Sequence, residues 1–475
     1  MTFPYQEFAR EKMPALLADL KDLIAIDSVR NMDLATPEYP VGPGPIKALA
    51  KFLNIADRDG FQTENIDNYA GIVTFGQGDQ ELGVAVHVDV VPPDEGWSQD
   101  PFTPWVKDGR IFGRGASDNK GPALAAYYAL LALKEAGFQP KKKISLIIGT
   151  DEETDWVGMK YYLQKRPAPD WVFSPDSSFP IVTGQAGLAV LKTDFTAEKV
   201  EKDTGLTLES FSAGQATNMI PAAATAVISG ENLAKIAAAF PDFLAKNGLT
   251  GEVAEAVSDN GTGLKISLEG VSAHASVPWE GKNGACLLAS FLRAFPFTGR
   301  AKNFLDFAGD LELEDYYGEK IGIANADPEM GKSINCPAVF RYQNGEAEAY
   351  IKSDIRYSRG TSPEKMCQQL NDKFGAFCQT TFQPYQDFEK PHFVANDDPF
   401  VKTLLSVYEK QTGQAGETII SAGANYGRFF KNGVGYGPAF PVSLDTAHAI
   451  DESVSLAELE KSLAIYAEAI YELSK

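Results

Sequence analysis

The chain has 475 residues, of which 44% are hydrophobic and 23% charged, a composition typical of globular proteins with buried cores. The length suits two large domains or three average ones. A formal net charge of -21 at pH 7 repels phosphate backbones and anionic membranes, so we expect neither a nucleic-acid partner nor a membrane partner.

All four cysteines lie after residue 285 and none shows Cys-x-x-Cys spacing: Cys286, Cys336, Cys367 and Cys378. Free thiols in a reducing compartment are a simpler prediction than disulfides. The first twenty residues, MTFPYQEFAREKMPALLADL, lack a basic start followed by an apolar run, which predicts no signal peptide. We therefore expect a cytoplasmic protein.

The first part of the chain predicts helices that alternate with apolar strands. Apolar residues recur at helical spacing over residues 8–25, 46–60 and 121–137, with Gly60 and Gly137 as expected C-caps. Strands are predicted at GIVTFG, LGVAVHVDVV, ISLIIGT and DWVFSPD. Their nearly continuous apolar character suits strands covered on both faces. The alternation predicts an α/β core that places its ligands beyond the carboxyl ends of the strands.

From about residue 186 the rhythm changes. The segments LAVLKTDFTAE, AATAVISG, LAKIAAAFPDFLAKNG and GLKISLEG predict an inserted α+β domain over 186–385. Helical patterns near 398–412 and 455–474 then resemble the first part again. We therefore predict one domain formed by 1–185 and 386–475, and a second formed by 186–385.

The chain has only four histidines. His87 lies near the end of an apolar strand and shares a strand face with Asp89, because side chains two residues apart point the same way. A carboxylate beside an imidazole fixes the tautomer of a metal ligand, although a buried core histidine fits the same pattern. His392 matches no motif and is predicted to be structural.

Acidic residues follow two further elements. Asp118, in GRGASDNKGP, precedes the helix expected near Gly121, where a helix cap and a site residue are both possible readings. Glu152 and Glu153, in IIGTDEETDW, follow an apolar strand. Adjacent acids repel one another and a dication would compensate, or they form the acidic first turn of a helix. Extended neighbours point to opposite sides, so one glutamate can bind metal while the other faces a water.

Two loop residues complete the set of candidate ligands. Asp176, in WVFSPDSSFP, ends another apolar run, and His448, in LDTAHAIDES, is followed by Asp451 and Glu452. Each alone fits ordinary loop chemistry. Five such residues, each at a strand end or in a loop, together predict a metal site.

The motifs GVAVHVDVVP, GRGASDNKGP, GTDEET, FSPD, SAHAS and HAIDE occur in the order seen in a metallopeptidase family. That family includes the aminoacylases, carnosinases, carboxypeptidase G and succinyl-diaminopimelate desuccinylase. The sequence resembles it from end to end, most of all the PepV-like dipeptidases. The resemblance implies an α/β, mixed-sheet, zinc-peptidase-like catalytic domain with an inserted α+β lid domain. It also implies a monomer that hydrolyses dipeptides, with β-alanyl dipeptides among the possible substrates.

Carried over residue by residue, the resemblance implies two metal ions bridged by Asp118. One ion would also take His87 and Asp176, and the other Glu153 and His448. An oxygen-rich site with two imidazoles suits Zn2+, and also Mn2+ or Co2+. We expect two Zn2+ per chain.

The resemblance also implies roles around the metals. Glu152 would be the general base, and Asp89 would orient His87. His274, in the inserted domain, would stabilise the developing oxyanion. Further contacts to a small peptide substrate would come from Asn218, Arg356 and the run GANYGR that begins at Gly423.

The sequence departs from the dipeptidase pattern at three motifs, one of which is GANYGR, where the usual run has an extra glycine and a threonine. Asn119 follows Asp118 where two aspartates are usual, and Asp451 stands where asparagine is common. These departures bear on substrate preference rather than on the ligand set. Two alternatives stay open: a deacylase or desuccinylase acting on N-acyl amino acids, and a non-catalytic peptide-binding protein, which would be expected to lack a ligand or the base.

Overall fold

A computed structural model of the chain describes residues 3–196, 204–258, 261–311, 315–345, 348–384 and 390–475. The chain divides into two compact units, one of Met1–Gln185 with Phe393–Lys475 and one of Ala186–His392. The predicted return to the first domain at residue 386 lies outside the described residues, as do the last two residues of LAVLKTDFTAE.

The first unit is built on a nine-stranded mixed sheet. Neighbouring strands along its path are Gln62–Ile66, Ala70–Phe75, Lys143–Gly149, Glu81–His87, Trp171–Ser174, Gly433–Gly435, Ile181–Gln185 and His392–Phe393. The ninth strand, Thr418–Ser421, pairs in parallel with Ile181–Gln185. Glu81–His87 is parallel to both of its neighbours, whereas the first two pairings along the path are antiparallel. The predicted α/β class and mixed sheet are confirmed.

Helices cover this sheet, at Tyr5–Ile24, Pro43–Arg58, Lys120–Glu135, Val157–Lys165, Pro399–Thr412 and Leu456–Ser474. The five that the sequence predicts are confirmed, and Gly60 and Gly137 have positive φ of 72° and 77° just after two of them, as C-caps require. Lys120–Glu135 is buried on almost every side because it is apolar all round. It anchors the sheet's site-bearing edge.

Two small sheets and two 3-10 helices complete the first unit. One sheet joins Trp105–Lys107, Arg110–Phe112 and Ser453–Ser455, and the other pairs Ser177–Ser178 with Pro438–Ala439. The 3-10 helices are Met32–Leu34 and Tyr426–Phe429. The three-stranded sheet matters for function, because it ties the loop before Asp118 to the loop after His448.

The second unit is an eight-stranded antiparallel sheet with its own core. In spatial order its strands are Thr250–Ser258, Gly261–Glu269, Ala223–Gly230, Leu206–Ala213, Ile334–Gln343, Ala349–Tyr357, Gly187–Phe195 and Cys378–Pro384. Its helices are Leu233–Asn247, Gly284–Leu292, Gly299–Asp310 and Pro363–Phe374, with a 3-10 turn at Pro278–Glu280 and a short hairpin of Ala326–Asp327 and Gly331–Lys332. The predicted α+β character is confirmed.

All four cysteines lie in the second unit, buried and free, which confirms the prediction of unpaired thiols. Among the described residues, no helix combines the length and hydropathy needed to cross a bilayer.

Candidate functional site

Three neighbouring parallel strands of the first unit end at one edge of the sheet. His87 is the last residue of its strand and lies opposite Gly149, the last residue of the next strand. On the other side, Ser174 ends Trp171–Ser174, and its hydroxyl donates to the Ala85 carbonyl at 2.8 Å. Residues that follow these strand ends, Glu152, Glu153 and Asp176, therefore meet His87 at the same edge.

The five sequence-predicted ligands lie together in the first unit. Nε2 of His87 is 3.0 Å from Oδ1 of Asp118 and 3.6 Å from Oδ2 of Asp176. Nε2 of His448 is 3.3 Å from the other oxygen of Asp118 and 3.0 Å from Oε2 of Glu153. Asp118 thus offers one oxygen to each half of the cluster. The Asp118–Asn119 peptide bond is cis.

Two triads in this cluster can hold a metal ion, with donor atoms within 4.8 Å of one another: His87, Glu152 and Asp176, and His87, Asp118 and Glu153. Glu152 is only 8% exposed, and its Oε1 is buried with no hydrogen-bond partner among the described residues. A buried, unsatisfied carboxylate oxygen beside imidazoles suits a cation or a cation's water.

Burial and mutual repulsion shape the protonation of the acids in this cluster. Burial, helped by Asp176, raises the pKa of Glu152 well above its usual value. Burial and Asp118 raise the pKa of Glu153 to about 7. The pKa of Asp118 is lowered instead, because hydrogen bonds from His448 and His87 outweigh burial. A dication would replace the protons that these acids otherwise hold.

The two imidazoles respond in the opposite sense. Although burial lowers the pKa of His87, the carboxylates of Asp176 and Asp118 raise it well above its usual value. Hydrogen bonds with Asp118 and Glu153 raise the pKa of His448 to about 11. Both rings therefore hold protons where a metal ligand must be neutral, so protons and a metal compete for the same atoms.

Asp89 orients two parts of the site. The Nδ1 atom of His87 lies 3.1 Å from the Asp89 backbone carbonyl and 3.4 Å from its carboxylate. The same carboxylate accepts hydrogen bonds from the backbone N–H groups of Glu152 at 3.0 Å and Glu153 at 3.1 Å. Asp89 therefore fixes the imidazole and the acidic turn together.

The acidic segment differs from the extended chain that the sequence suggested. Residues 152–155 form a turn, and the next helix begins only at Val157. Asp151 supplies the helix-start contacts, because its carboxylate accepts from the N–H groups of Val157 at 2.6 Å and Gly158 at 2.8 Å. Because Asp151 makes the contacts to the helix start, the other two acids are free to turn toward the imidazoles. Glu153 lies beside His448, and Glu152 lies near His87.

Asp118 does not cap the following helix. That helix begins at Lys120, and its N-cap residue is Asn119, which makes no side-chain cap bond. The carboxylate of Asp118 lies between His87 and His448 instead. The capping alternative is therefore wrong.

Glu452 joins the loops that carry Asp118 and His448. Its carboxylate is fully buried and accepts from the backbone N–H groups of Gly115, Ser117 and Asp118 at 3.1, 2.8 and 3.0 Å. Arg114, itself buried, pairs with it at 2.8 Å. In the sequence, Glu452 follows the His448 motif but carries no signal of this role.

The His448 loop is held in an unusual backbone conformation. The backbone φ angles of His448 and Asp451 are positive, at 62° and 56°. Residues other than glycine rarely adopt this conformation without supporting contacts. Asp451 accepts from the N–H and hydroxyl of Ser98 at 2.8 and 2.6 Å. These contacts fix the loop that aims His448 at Asp118.

The run that begins at Gly423 reaches the site through Asn425. Its amide donates to the Asp176 backbone carbonyl at 2.8 Å and pairs with Gln185. Gly423 itself donates its N–H to Ser421. Asn425, like Asn119, was missed as a separate contact, because asparagines in loops carry no signal of what their amides face.

Three sequence-predicted residues lie in the second unit. The Ala275 N–H donates to the Asn218 carbonyl at 2.9 Å, which places Asn218 beside His274. Nδ1 of His274 accepts from the Ser276 N–H at 3.3 Å and lies 2.7 Å from its hydroxyl. In the neutral ring the proton therefore sits on Nε2, which becomes a donor.

Arg356 belongs to the same unit and is 5% exposed. Asp354 holds its guanidinium through two contacts of 2.7 and 3.1 Å. Asp354 lies opposite Cys336 in the sheet, and Cys336 packs with Ile220 and Ala275. The regions around Asn218, His274 and Arg356 therefore adjoin one another within the second unit.

The chain is similar to known proteins over most of its length. The family model described as peptidase family M20/M25/M40 matches residues 83–472. A Beta-Ala-Xaa dipeptidase from Lactobacillus delbrueckii subsp. lactis is 47% identical over 476 residues, covering 100% of this chain and 99% of that protein.

Solved structures agree on the fold. Human carnosine dipeptidase 1 is 14% identical, with a TM-score of 0.58 and coverage of 99% of this chain and 98% of that one. The di-peptidase Dug1p from Saccharomyces cerevisiae is 14% identical, with a TM-score of 0.56 and 98% coverage of both chains. With a family model that spans most of its length and a relative at 47% identity, the chain belongs to the peptidase family M20/M25/M40.

Proposed function

We propose that this chain is a dinuclear metallopeptidase that hydrolyses dipeptides, with β-alanyl dipeptides among its substrates. The observation that carries the proposal is the gathering of two imidazoles and four carboxylates at one sheet edge, with Asp118 between the imidazoles. The substrate class is supported by the 47% identical relative, which is a Beta-Ala-Xaa dipeptidase.

The donor set fits two divalent cations. In the proposal, His87 and Asp176 would hold one cation, Glu153 and His448 would hold the other, and Asp118 would offer one carboxylate oxygen to each. Nitrogen and carboxylate donors suit Zn2+, with Mn2+ and Co2+ as alternatives. When bound, such a pair acidifies a water and polarises the peptide carbonyl.

Glu152 acts as the general base. It accepts a proton from the attacking water and returns it to the leaving amine. Its buried Oε1, which has no hydrogen-bond partner among the described residues, is available for that proton. Asp89 supports this role, because it accepts from the Glu152 N–H and holds the turn beside His87.

The second unit supplies the remaining contacts and acts as a lid. The proton on Nε2 of His274 suits donation to the developing oxyanion, a contact worth roughly 3–4 kcal/mol in the transition state. Arg356, oriented by Asp354, pairs with the C-terminal carboxylate of the peptide. Asn218 and the Gly423 loop contribute further substrate contacts.

The same proposal places the protein in the cytoplasm as a monomer. Four free buried cysteines suit a reducing compartment, and a net charge of -21 disfavours nucleic acid and anionic membranes. Light scattering coupled to size exclusion should give a mass near that of one chain, and a dimer mass would contradict this part.

A panel of α-dipeptides, β-alanyl dipeptides and N-acylated amino acids, assayed with Zn2+ or Mn2+, tests the function. We expect turnover of free dipeptides and little of acylated ones; the reverse would make the chain a deacylase. No turnover of any member would favour the peptide-binding alternative.

The role of Glu152 as the general base is tested with the variant Glu152→Ala in the same assays. We expect this variant to keep two metals per chain by elemental analysis and to lose about 100- to 10,000-fold in kcat. Glu460→Ala changes a half-buried helix residue outside the site and should leave kcat unchanged. Retained turnover in Glu152→Ala would remove Glu152 from the mechanism.

A further inference from the structure

Asn119 is a fully buried residue inside the ligand cluster that the proposed mechanism does not use. Its amide nitrogen donates to the Pro175 carbonyl at 2.7 Å and to Oδ1 of Asp176 at 3.2 Å. Its amide oxygen lies 3.5 Å from the backbone N of His87. The Pro175 carbonyl can only accept, so the NH2 group must face it, and the orientation of the amide follows.

These contacts select how Asp176 presents its carboxylate. Asn119 engages Oδ1, while Oδ2 is the oxygen that lies 3.6 Å from Nε2 of His87. Asn119 thus contacts both residues assigned to one metal position. Among its described hydrogen bonds, none reaches Glu153 or His448.

We propose that Asn119 is a positioning residue for one of the two metal positions, the one formed by His87 and Asp176. The inference rests on the proposed function for its ligand assignment. Partners that hold a metal ligand typically change metal affinity by about 10- to 100-fold when removed. Loss of the Asn119 amide therefore lowers metal affinity at this position. The effect on metal affinity at the position formed by Glu153 and His448 is smaller.

The test is a Co2+ titration of the metal-free protein, followed by its visible absorption and by calorimetry. Asn119→Leu keeps a similar shape but removes both N–H donors, so that the Pro175 carbonyl and Oδ1 of Asp176 lose their partner. We expect one of the two Co2+ binding steps to weaken about 10- to 100-fold and the other to change by less than about threefold. Asn119→Ser, which keeps one hydroxyl donor, should fall between this variant and the native protein.

Two reference variants assign the steps. His448→Ala should weaken the Co2+ binding step that Asn119→Leu spares. Asn432→Leu is the matched control. It removes an exposed hydrogen bond from the Asn432 side-chain amide to the Asp170 carbonyl and should leave both Co2+ binding steps unchanged. Circular dichroism of the metal-free forms reports folding, and if Asn119→Leu is unfolded the serine variant decides the question.

Two unchanged steps, or two equally weakened steps in a folded variant, would overturn the proposal. Neither outcome touches the proposed function, which fails instead if the native protein binds metal without hydrolysing any peptide, or binds none.

Discussion

At the residue scale, Glu452 shows how a side chain that binds no metal in the proposal can still shape the site. Its buried carboxylate pairs with Arg114 and accepts from the N–H groups of Ser117 and Asp118. Glutamine would leave the buried guanidinium without its counter-charge. We expect Glu452→Gln to lower the free energy of unfolding of the metal-free protein by about 3–5 kcal/mol, measured by urea unfolding.

The matched control is Glu460→Gln. Glu460 is half-buried and lies 4.0 Å from the exposed Arg10, and such surface pairs contribute little. Its change in unfolding free energy should stay below about 0.5 kcal/mol. A loss in Glu452→Gln no larger than in this control would show that the buried pair is not needed to hold the two loops.

Metal uptake is expected to release protons, and one of them should come from the His448 ring. Because Asp118 and Glu153 raise its pKa to about 11, the ring is protonated below that pH in the metal-free protein, whereas a metal ligand must be neutral. Apparent affinity for Zn2+ should therefore rise with pH across the neutral range. Calorimetry in two buffers of different ionisation enthalpy counts the protons released.

The comparison for this prediction is His448→Ala, which removes one of the two protonated imidazoles. It should release fewer protons per metal bound than the native protein. Equal release by both proteins, or an affinity that falls as the pH rises, would contradict the assignment of His448 as a ligand.

The motifs predicted the residues that gather at the site but not what holds them there. The candidate ligands are recognisable because histidine and clustered acids at strand ends are uncommon outside sites. The supporting contacts are not recognisable in the sequence, because they join residues that are far apart in the chain. Glu452, for example, accepts a hydrogen bond from Asp118, which is 334 positions away. Asn119 carried a signal only as a departure from a pattern, and its role depends on which groups its amide faces.

At the element scale, apolar runs predicted the central strands well because burial on both faces leaves few polar positions. The connection after Gly149 was less predictable. Three consecutive acids fit either an acidic helix start or an extended segment, and the turn at 152–155 is decided by Asp151 bonding to Val157 and Gly158. Local sequence does not say which of three adjacent carboxylates takes that place.

A helix in the second unit offers a prediction that is independent of the metals. The buried amide of Asn283 accepts from the N–H groups of Ala285 and Cys286 and donates to the Pro337 carbonyl at 2.7 Å. Asn283→Ala removes the N-cap of Gly284–Leu292 and leaves that carbonyl unsatisfied. We expect a loss of about 2–4 kcal/mol in unfolding free energy, measured by urea unfolding.

Ser362→Ala provides the contrast, because Ser362 caps Pro363–Phe374 at an exposed position. Its loss should be about 0.5–1 kcal/mol. Neither change should alter Zn2+ affinity, since the proposed ligands lie in the first unit. If Asn283→Ala cost no more than Ser362→Ala, the bond to Pro337 would contribute nothing to stability.

At the scale of the whole molecule, two hydrophobic cores accompany the two units. The change of rhythm near residue 186 predicted an inserted domain, and the second compact unit begins at Ala186. The antiparallel order of the eight strands was not readable, because it depends on pairings between segments separated by more than a hundred residues, such as Gly187–Phe195 with Ala349–Tyr357.

Metal removal is expected to loosen the first unit's loops and to leave the second unit's sheet unchanged. Without cations, no bonds to a metal join loops 114–118, 150–155, 174–177 and 446–452, so these loops should open more often. A metal present at about 100 times its Kd adds roughly 2.7 kcal/mol of stability. Hydrogen exchange followed by mass spectrometry should therefore show up to about 100-fold faster exchange in these loops after chelation.

Peptides from Ala223–Gly230 in the second unit serve as the internal control, because that strand carries no proposed ligand. Added Zn2+ should restore slow exchange in the loops, and Glu152→Ala should behave like the native protein, since the base is not needed to hold the metals. Chelation that accelerated exchange equally in Ala223–Gly230 would mean that the metals stabilise the whole chain rather than the cluster at the sheet edge. Unchanged loops would mean that the cluster needs no cation to stay closed.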